Sequence, residues 1–528
     1  MGNLGRHMAE LLHELILESA ERIPDKEALV YQKSRLNYSE LAAAVEDAAD
    51  ALIGLGLAKS ERVAVYLEKR IETVAAMFGT SAAGGVFVPV NPILKSEQVA
   101  YILKDCNVRI LVTSRDRLKL LVDALQDCRD LHTVLVVGDG DFPEISGINV
   151  RRWGEDMGKG GRGHRVINAD MAAILYTSGS TGKPKGVVLS HLNMVTGAKS
   201  VAQYLGNRPD DRILSVLPLS FDYGFSQLTT AFHVGATAVL MNHLLPRDIV
   251  KAVEKERITG LAAVPPLWIQ LSQLEWPADA VASLRYFTNS GGAMPLSTLA
   301  ELRSRFPNAS PYLMYGLTEA FRSTYLPPEE VDRRPDSIGK AIPNAEIAVV
   351  REDGSPCAPG EPGELVHRGA LVSLGYWNDH EKTAERFKPA PNRESGLTMT
   401  EMAVWSGDTV RMDEEGYLYF ISRRDEMIKT SGYRVSPTEV EEVIYATEMA
   451  GEVAAVGVPH PVLGQSIVVI VAAREGHDLD VEALMAECKQ RLPAYMVPSE
   501  IRLHAGNLPR NPNGKIDRKL LLNEILNG

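Results

Sequence analysis

Tyr176-Thr-Ser-Gly-Ser-Thr-Gly-Lys-Pro-Lys-Gly186 is the stretch on which the reading of this chain turns. An apolar run at residues 171–175 (MAAIL) precedes it and predicts a strand that runs straight into a loop. Glycines let a backbone bend so that several N–H groups face one anion, and hydroxyls and lysines add donors and positive charge. A polyphosphate needs that combination. The loop is not a Walker A motif, which places four residues between its glycines. Here Gly179 and Gly182 have two between them, and Pro184 follows Lys183.

Working outward from this loop, short β-rich runs alternate with helical stretches. Residues 62–67 (RVAVYL), 86–90 (VFVPV), 108–113 (VRILVT) and 133–138 (TVLVVG) read as strands, and 71–83 as a helix. This alternation predicts an α/β fold with a large N-terminal domain of layered parallel sheets covered by helices. Residues 151–165 are rich in Gly, Arg and Lys and read as a surface loop. From 345 to 376 short β segments broken by turns predict a small antiparallel β subdomain. Beyond a charged stretch at 422–429 come a helix (438–446), two strands (453–458 and 467–473) and another helix (481–492). They form a small α+β unit. The boundary falls near Asp425, giving domains 8–424 and 425–528. Residues 1–8 read as a cloning remnant ahead of a start at Met8.

The chain has 528 residues, enough for more than one domain. With 56 basic and 68 acidic residues the net charge is −12, which argues against nucleic acid or an anionic membrane surface as a partner. No signal peptide and no run of about 18 apolar residues stands out, so no membrane span is expected. Cys106, Cys128, Cys357 and Cys488 are scattered without metal-ligand spacing, as expected for reduced thiols in a cytoplasmic protein.

The glycine-rich stretch resembles the phosphate loop of the adenylate-forming superfamily, which includes acyl-CoA synthetases, peptide-synthetase adenylation domains and firefly-type luciferases. Further segments resemble that family's motifs in the same order. They are Ser290-Gly-Gly-Ala-Met294, Tyr315-Gly-Leu-Thr-Glu319, Ser406-Gly-Asp408, residues 422–441 (SRRDEMIKTSGYRVSPTEVE) and residues 511–519 (NPNGKIDRK). Within the superfamily the chain resembles most the AMP-forming acyl-CoA ligases associated with exosortase gene clusters.

The resemblance implies an AMP-forming acid–thiol ligase with ATP, Mg2+ and CoA, or a carrier-protein phosphopantetheine, as cofactors and co-substrates. It assigns Thr177, Ser178, Gly179, Ser180, Thr181, Gly182 and Lys183 to the β- and γ-phosphates. Tyr315 would stack on adenine, with Gly292, Ala293 and Gly316 lining the nucleotide. Asp408 and Arg423 would reach the ribose, Thr318 the α-phosphate, and Glu319 the metal. Lys515 would bridge the carboxylate and the α-phosphate during adenylation. Asp425 would be the hinge about which the small domain turns between half-reactions, bringing in Lys429 and Gly432 for thiolation.

Residues 217–224 (LPLSFDYG) occupy the acid-pocket motif, with Phe221, Asp222 and Gly291 on the acid side. Asp222 has two readings. It receives the ammonium of an amino-acid substrate, or it is a carboxylate held by neighbouring hydrogen-bond donors. Accordingly the chain reads as an acyl-CoA ligase for a non-amino acid, or as an amino-acid ligase loading a carrier protein. A non-catalytic nucleotide-binding relative is the remote alternative. A homodimer is the commonest assembly for such a chain.

Overall fold

The computed structural model describes residues 8–155, 163–177, 184–391, 396–423, 426–430, 433–461, 463–474 and 476–527. Two large sheets carry the first part of the chain. The larger runs in the order Lys340–Ala341, Thr324–Leu326, Ser310–Tyr315, Tyr286–Asn289, Gly260–Ala263, Arg212–Ser215, Thr237–Leu240, Glu27–Tyr31, Ser34–Asn37. Its six inner strands are parallel and its edge strands antiparallel. The second runs Asn149–Arg152, Thr133–Val137, Val108–Ser114, Arg62–Tyr66, Val86–Pro89, Met171–Thr177, Lys185–Ser190, parallel except for its last member. Val86–Pro89 and Thr133–Val137 are buried at every residue, which is why they read as unbroken apolar runs.

The helices Ile71–Ala82 and Asp222–Val234 lie inside the main core. Asp222–Val234 is buried along its length except at its last two residues, as expected of a helix enclosed on all sides. Phe225 packs against Phe78 and Phe87 at centroid distances of 5.8 and 5.3 Å, and Phe232 against Phe78 at 5.5 Å. These aromatic contacts fix the helix between the layers. They also fix its first residue, Asp222, at the carboxyl edge of the larger sheet.

The amino edge of that sheet is tied by ions. Asp211 stands just before the strand Arg212–Ser215, Thr259 before Gly260–Ala263, and Arg285 before Tyr286–Asn289. Arg285 donates to Asp211 from Nε at 3.0 Å and Nη2 at 2.6 Å, and the Thr259 hydroxyl donates at 2.8 Å. The Asp211 side chain is inaccessible to solvent. One carboxylate therefore joins three neighbouring strands. Burial pushes its pKa up, but Arg285, the Arg208 backbone N–H and Thr259 outweigh burial and hold it below the usual range.

The antiparallel unit expected over 345–376 is larger than that. Ala345–Val350 pairs with Gly363–Gly369, which pairs with Met402–Met412. Met402–Met412 in turn carries Phe387–Pro389 and Leu418–Arg423. Its burial alternates along most of its length, so it presents no apolar run to a sequence reading. Residues 151 and 152, expected in a loop, complete the edge strand Asn149–Arg152.

The last unit is a sheet of Tyr433–Val435, Ile428–Thr430, Gly464–Ala473 and Ala450–His460, with Glu500–His504 parallel to Gly464–Ala473. Pro437–Tyr445, Val481–Arg491 and Arg518–Asn527 are its helices. It meets the rest of the chain through the loop after Glu500–His504: Asn91 Nδ2 donates to the Pro512 carbonyl at 2.8 Å. Across another part of the same contact the Leu296 backbone N–H meets the Glu442 carboxyl.

Asp211→Asn keeps the shape and removes the charge. It should lower unfolding free energy by about 3 kcal/mol, because Arg285 loses its counter-charge. Urea titration at neutral pH measures this, with little change expected in any site property at the opposite edge.

Candidate active site

Parallel α/β sheets place ligand sites beyond the carboxyl ends of their strands. Four such ends converge here. Gly260–Ala263 runs into Val264, Tyr286–Asn289 into the glycine loop 290–292, and Ser310–Tyr315 into the turn Thr318–Ala320. Arg212–Ser215 runs into the segment that ends on Phe221 and Asp222.

Lys515 reaches this edge from the C-terminal unit. Its Nζ lies 5.5 Å from the Phe221 ring centroid. Gly291 has φ +84°, and a Cβ there would stand 2.8 Å from Lys515 Cε. A residue without a side chain is thus required where the lysine passes. Burial lowers the Lys515 pKa to about 8; Arg423 adds to this, while Asp222 and Asp408 oppose it. The ammonium therefore sits in the field of a carboxylate on the acid side and another on the nucleotide side.

Asp222 is 3% exposed and accepts a hydrogen bond from Thr318 Oγ1 at 3.1 Å. Burial raises its pKa, and Arg322, Lys515 and the Thr318 hydroxyl oppose the rise. The reading of Asp222 as a carboxylate held by neighbouring donors has a visible partner in Thr318.

Tyr315 and Asp408 meet directly, the phenol donating to Oδ2 at 2.5 Å. Arg423 Nε stands 3.4 Å from the other carboxylate oxygen. Asp408 and Arg423 are cross-strand partners on consecutive strands of the antiparallel sheet, which sets their side chains beside each other. Burial raises the Asp408 pKa against the pull of Arg423 and Tyr315. The carboxylate retains acceptor capacity for two further donors.

Glu319 Oε1 accepts from the Tyr376 hydroxyl at 2.5 Å. No group of three or more His, Cys, Asp or Glu side chains stands ready for a metal among the described residues. A single held carboxylate fits Mg2+, which takes one or two protein carboxylates and otherwise phosphate and water oxygens.

Thr177 ends its strand opposite Lys185, just before the glycine-rich stretch. Ser178, Gly179, Ser180, Thr181, Gly182 and Lys183 lie outside the described residues, as do Asp425 and Gly432. Gly292 lies against Pro265, where a Cβ would stand 3.1 Å from Cγ; Gly316 lies against Arg322, and Ala293 is exposed. Lys429 is exposed on the strand Ile428–Thr430, where its N–H donates to Gln465 Oε1. This arrangement brings Lys515 to the site and leaves Lys429 on the C-terminal sheet.

Three residues at the site escaped the sequence reading. Tyr376 holds Glu319 from a segment with no motif signal of its own. Lys69 is buried, and its Nζ donates to the carbonyls of Val216 at 2.8 Å and Leu217 at 3.2 Å. It thereby supports the backbone that leads to Phe221. Burial pushes its pKa down to about 7. Arg322 lies three residues past Glu319 and is 1% exposed. Only its nearness to Tyr315-Gly-Leu-Thr-Glu319 could have drawn attention to it.

The sequence matches the family model described as AMP-binding enzyme over residues 16–377, and that described as AMP-binding enzyme C-terminal domain over 439–515. It is 31% identical to an L-proline–[L-prolyl-carrier protein] ligase of Pseudomonas fluorescens, over 98% of this chain and 99% of that one. It is also 31% identical to an indoleacetate–CoA ligase of Aromatoleum aromaticum, over 96% of each. Large peptide synthetases match as well, but the chain spans only 8% of tyrocidine synthase 3 of Brevibacillus parabrevis, at 30% identity over 97% of this chain. Among solved structures, a benzoate CoA ligase from Burkholderia xenovorans superposes with a TM-score of 0.84 at 25% identity, covering 97% of this chain and 99% of that one. O-succinylbenzoate coenzyme A synthetase from Bacillus subtilis, in complex with ATP and magnesium ion, gives 0.80 at 26% identity, covering 96% and 98%. On its sequence and on its fold, the chain belongs to the AMP-binding enzyme family.

Proposed function

We propose that the chain adenylates a carboxylic acid without an α-amino group and transfers the acyl group to the thiol of CoA. The observation that carries this reading is Lys515 set beside Phe221, Gly291 and Asp222, within the field of Asp408. In the first half-reaction a carboxylate oxygen bonds to the α-phosphorus of ATP, and the bond from that phosphorus to pyrophosphate breaks. Two anions must approach, so a fixed cation between them lowers the barrier. Lys515 is the proposed cation. Thr318 is proposed to donate to the α-phosphate, and Asp408 with Arg423 to hold the ribose beside Tyr315. Glu319, oriented by Tyr376, would hold Mg2+, which neutralises phosphate charge when bound. In the second half-reaction the thiol sulfur attacks the acyl carbon and AMP leaves. Residues 425–528 are proposed as the unit that turns about Asp425, withdrawing Lys515 and bringing Lys429 and Gly432 to the thiol.

The choice of a non-amino acid rests on the surroundings of Asp222. Arg322 and Lys515 are its strongest charged neighbours and both are cations. A substrate ammonium would compete with them for one carboxylate. The Pseudomonas fluorescens prolyl-carrier-protein ligase supports the other reading, with a carrier protein as partner. None of the named relatives is an exosortase-associated ligase, so that finer resemblance, like a homodimer, stays a proposal.

Lys515→Ala should reduce ATP–pyrophosphate exchange by about 10²–10³-fold, the usual loss for one transition-state donor, with ATP affinity kept. The protonated lysine is the active form, so exchange should fall as pH rises through about 8. Lys515→Arg should move that fall to higher pH, and an unmoved limb would separate it from this side chain. Asp222→Ala should leave the KM for amino acids immaterial, since wild-type exchange should come from non-amino acids. Exchange with amino acids that Asp222→Ala weakens sharply would replace CoA by a carrier-protein acceptor.

A further inference from the structure

Arg322 is among the largest fully buried side chains of the protein. Its Nη1 donates to Ser290 Oγ at 3.2 Å, and its guanidinium carbon lies 4.8 Å from the Tyr223 ring centroid. Its Nε and Nη2 are buried with no hydrogen-bond partner among the described residues. An arginine is always charged and offers five donors. Burying such a group with two nitrogens unmet is costly unless something else meets them.

The backbone shows that this placement is forced. Phe321 has φ +55° and ψ −45°, and the Arg322 N–H reaches back to the Ala320 carbonyl at 2.5 Å. This is a γ-turn on a bulky L-residue with positive φ, a rare and strained conformation. The Phe321 ring is buried against Gly197, where a Cβ would stand 2.4 Å from its Cδ1. Without a side chain at 197 the ring fits, the turn is held, and Arg322 is driven inward. Strain of this kind gathers where a side chain must be aimed.

It is aimed at the acid side of the site. Ser290, its hydrogen-bond partner, adjoins Gly291, which Lys515 crosses; Tyr223 and Asp222 open the helix Asp222–Val234. Arg322 and Lys515 are both near enough to Asp222 to act on its charge. We propose that Arg322 is a specificity residue whose free nitrogens receive an oxygen acceptor, a carboxylate or a carbonyl, carried by the acid away from its reacting carboxylate. This rests on the adenylation reading and names the class of acid. The acid is short or compact, because Lys515 and Arg322, which would take its two groups, both lie close to the one carboxylate of Asp222. Asp222 offsets the arginine charge, so a neutral carbonyl and a charged carboxylate are both accommodated.

The test is ATP–pyrophosphate exchange with acids in matched pairs. Dicarboxylates and oxo-acids of three to six carbons are each run against the plain monocarboxylate of the same length, and 2-carboxy- and 2-acyl-benzoates against benzoate. The wild type should favour the acceptor-bearing member of at least one pair by about 100-fold or more in kcat/KM, since a site built to hydrogen-bond a group rejects analogues lacking it. Dicarboxylate and oxo-acid arms tell the two acceptors apart. Arg322→Met should abolish the preference, raising KM far more for the acceptor-bearing acid than for the plain one; Arg322→Lys should recover part of it. Preference for the plain acid in every pair overturns the proposal using the wild type alone, whether or not a variant folds. Preference that persists in a folded Arg322→Met overturns it too. Absence of exchange with every acid overturns the adenylation reading beneath it.

Discussion

A half-buried lysine where the C-terminal sheet meets the rest of the chain is the constraint on which the proposed site depends. Lys515 reaches Phe221 and Gly291 within the field of Asp222, and partial desolvation lowers its pKa. Among the described residues, Asp222 and Asp408, which belong to the other part of the chain, offset that burial more than Glu426 of the C-terminal unit does. The lysine is therefore stable at the site only while the two units are docked as they are here. Among the described residues, Asn91 on Pro512, Leu296 on Glu442 and Ser436 on the Ile421 carbonyl also join this unit to the rest of the chain.

The rest of the large domain makes that charge arrangement rigid. The Asp211–Arg285–Thr259 group fixes the amino edge of three strands, and the phenylalanine contacts of the helix Asp222–Val234 fix its first residue. Lys69 holds the carbonyls of Val216 and Leu217, and the γ-turn at Phe321 turns Arg322 inward. Each device lies behind the groups that would face a ligand. Preorganisation of this kind means that little reorganisation is left for the reacting state.

Much of this was legible in the sequence, and for physical reasons. Strands enclosed in a parallel sheet need apolar residues on both faces, so residues 62–67, 86–90, 108–113 and 133–138 identify themselves. The glycine-rich stretch stands out in the sequence because a backbone that gathers many donors needs glycine, and residues 178–183 lie outside the described residues. Lys515 is different: within the sequence it is one lysine in a polar tail, and only its resemblance to a motif singled it out. Met402–Met412 was not legible because its faces differ in burial, and it carries Asp408 into register with Arg423. Arg322 was hidden because its role depends on a strained turn at Phe321 and a gap at Gly197 that lie more than a hundred residues apart. Lys69 was hidden because a buried lysine bonded to carbonyls has the same sequence signature as a surface lysine.

The central claim is that a carboxylate oxygen of the acid becomes bonded to the α-phosphorus. The most direct measurement uses the acid that supports the fastest pyrophosphate exchange, labelled with 18O in its carboxylate, turned over with ATP, Mg2+ and CoA. Mass spectrometry of the nucleotide product then reads the fate of the oxygen. The account predicts AMP carrying one 18O. ADP as the nucleotide product, with the label in inorganic phosphate, would contradict it and point to an acyl phosphate instead.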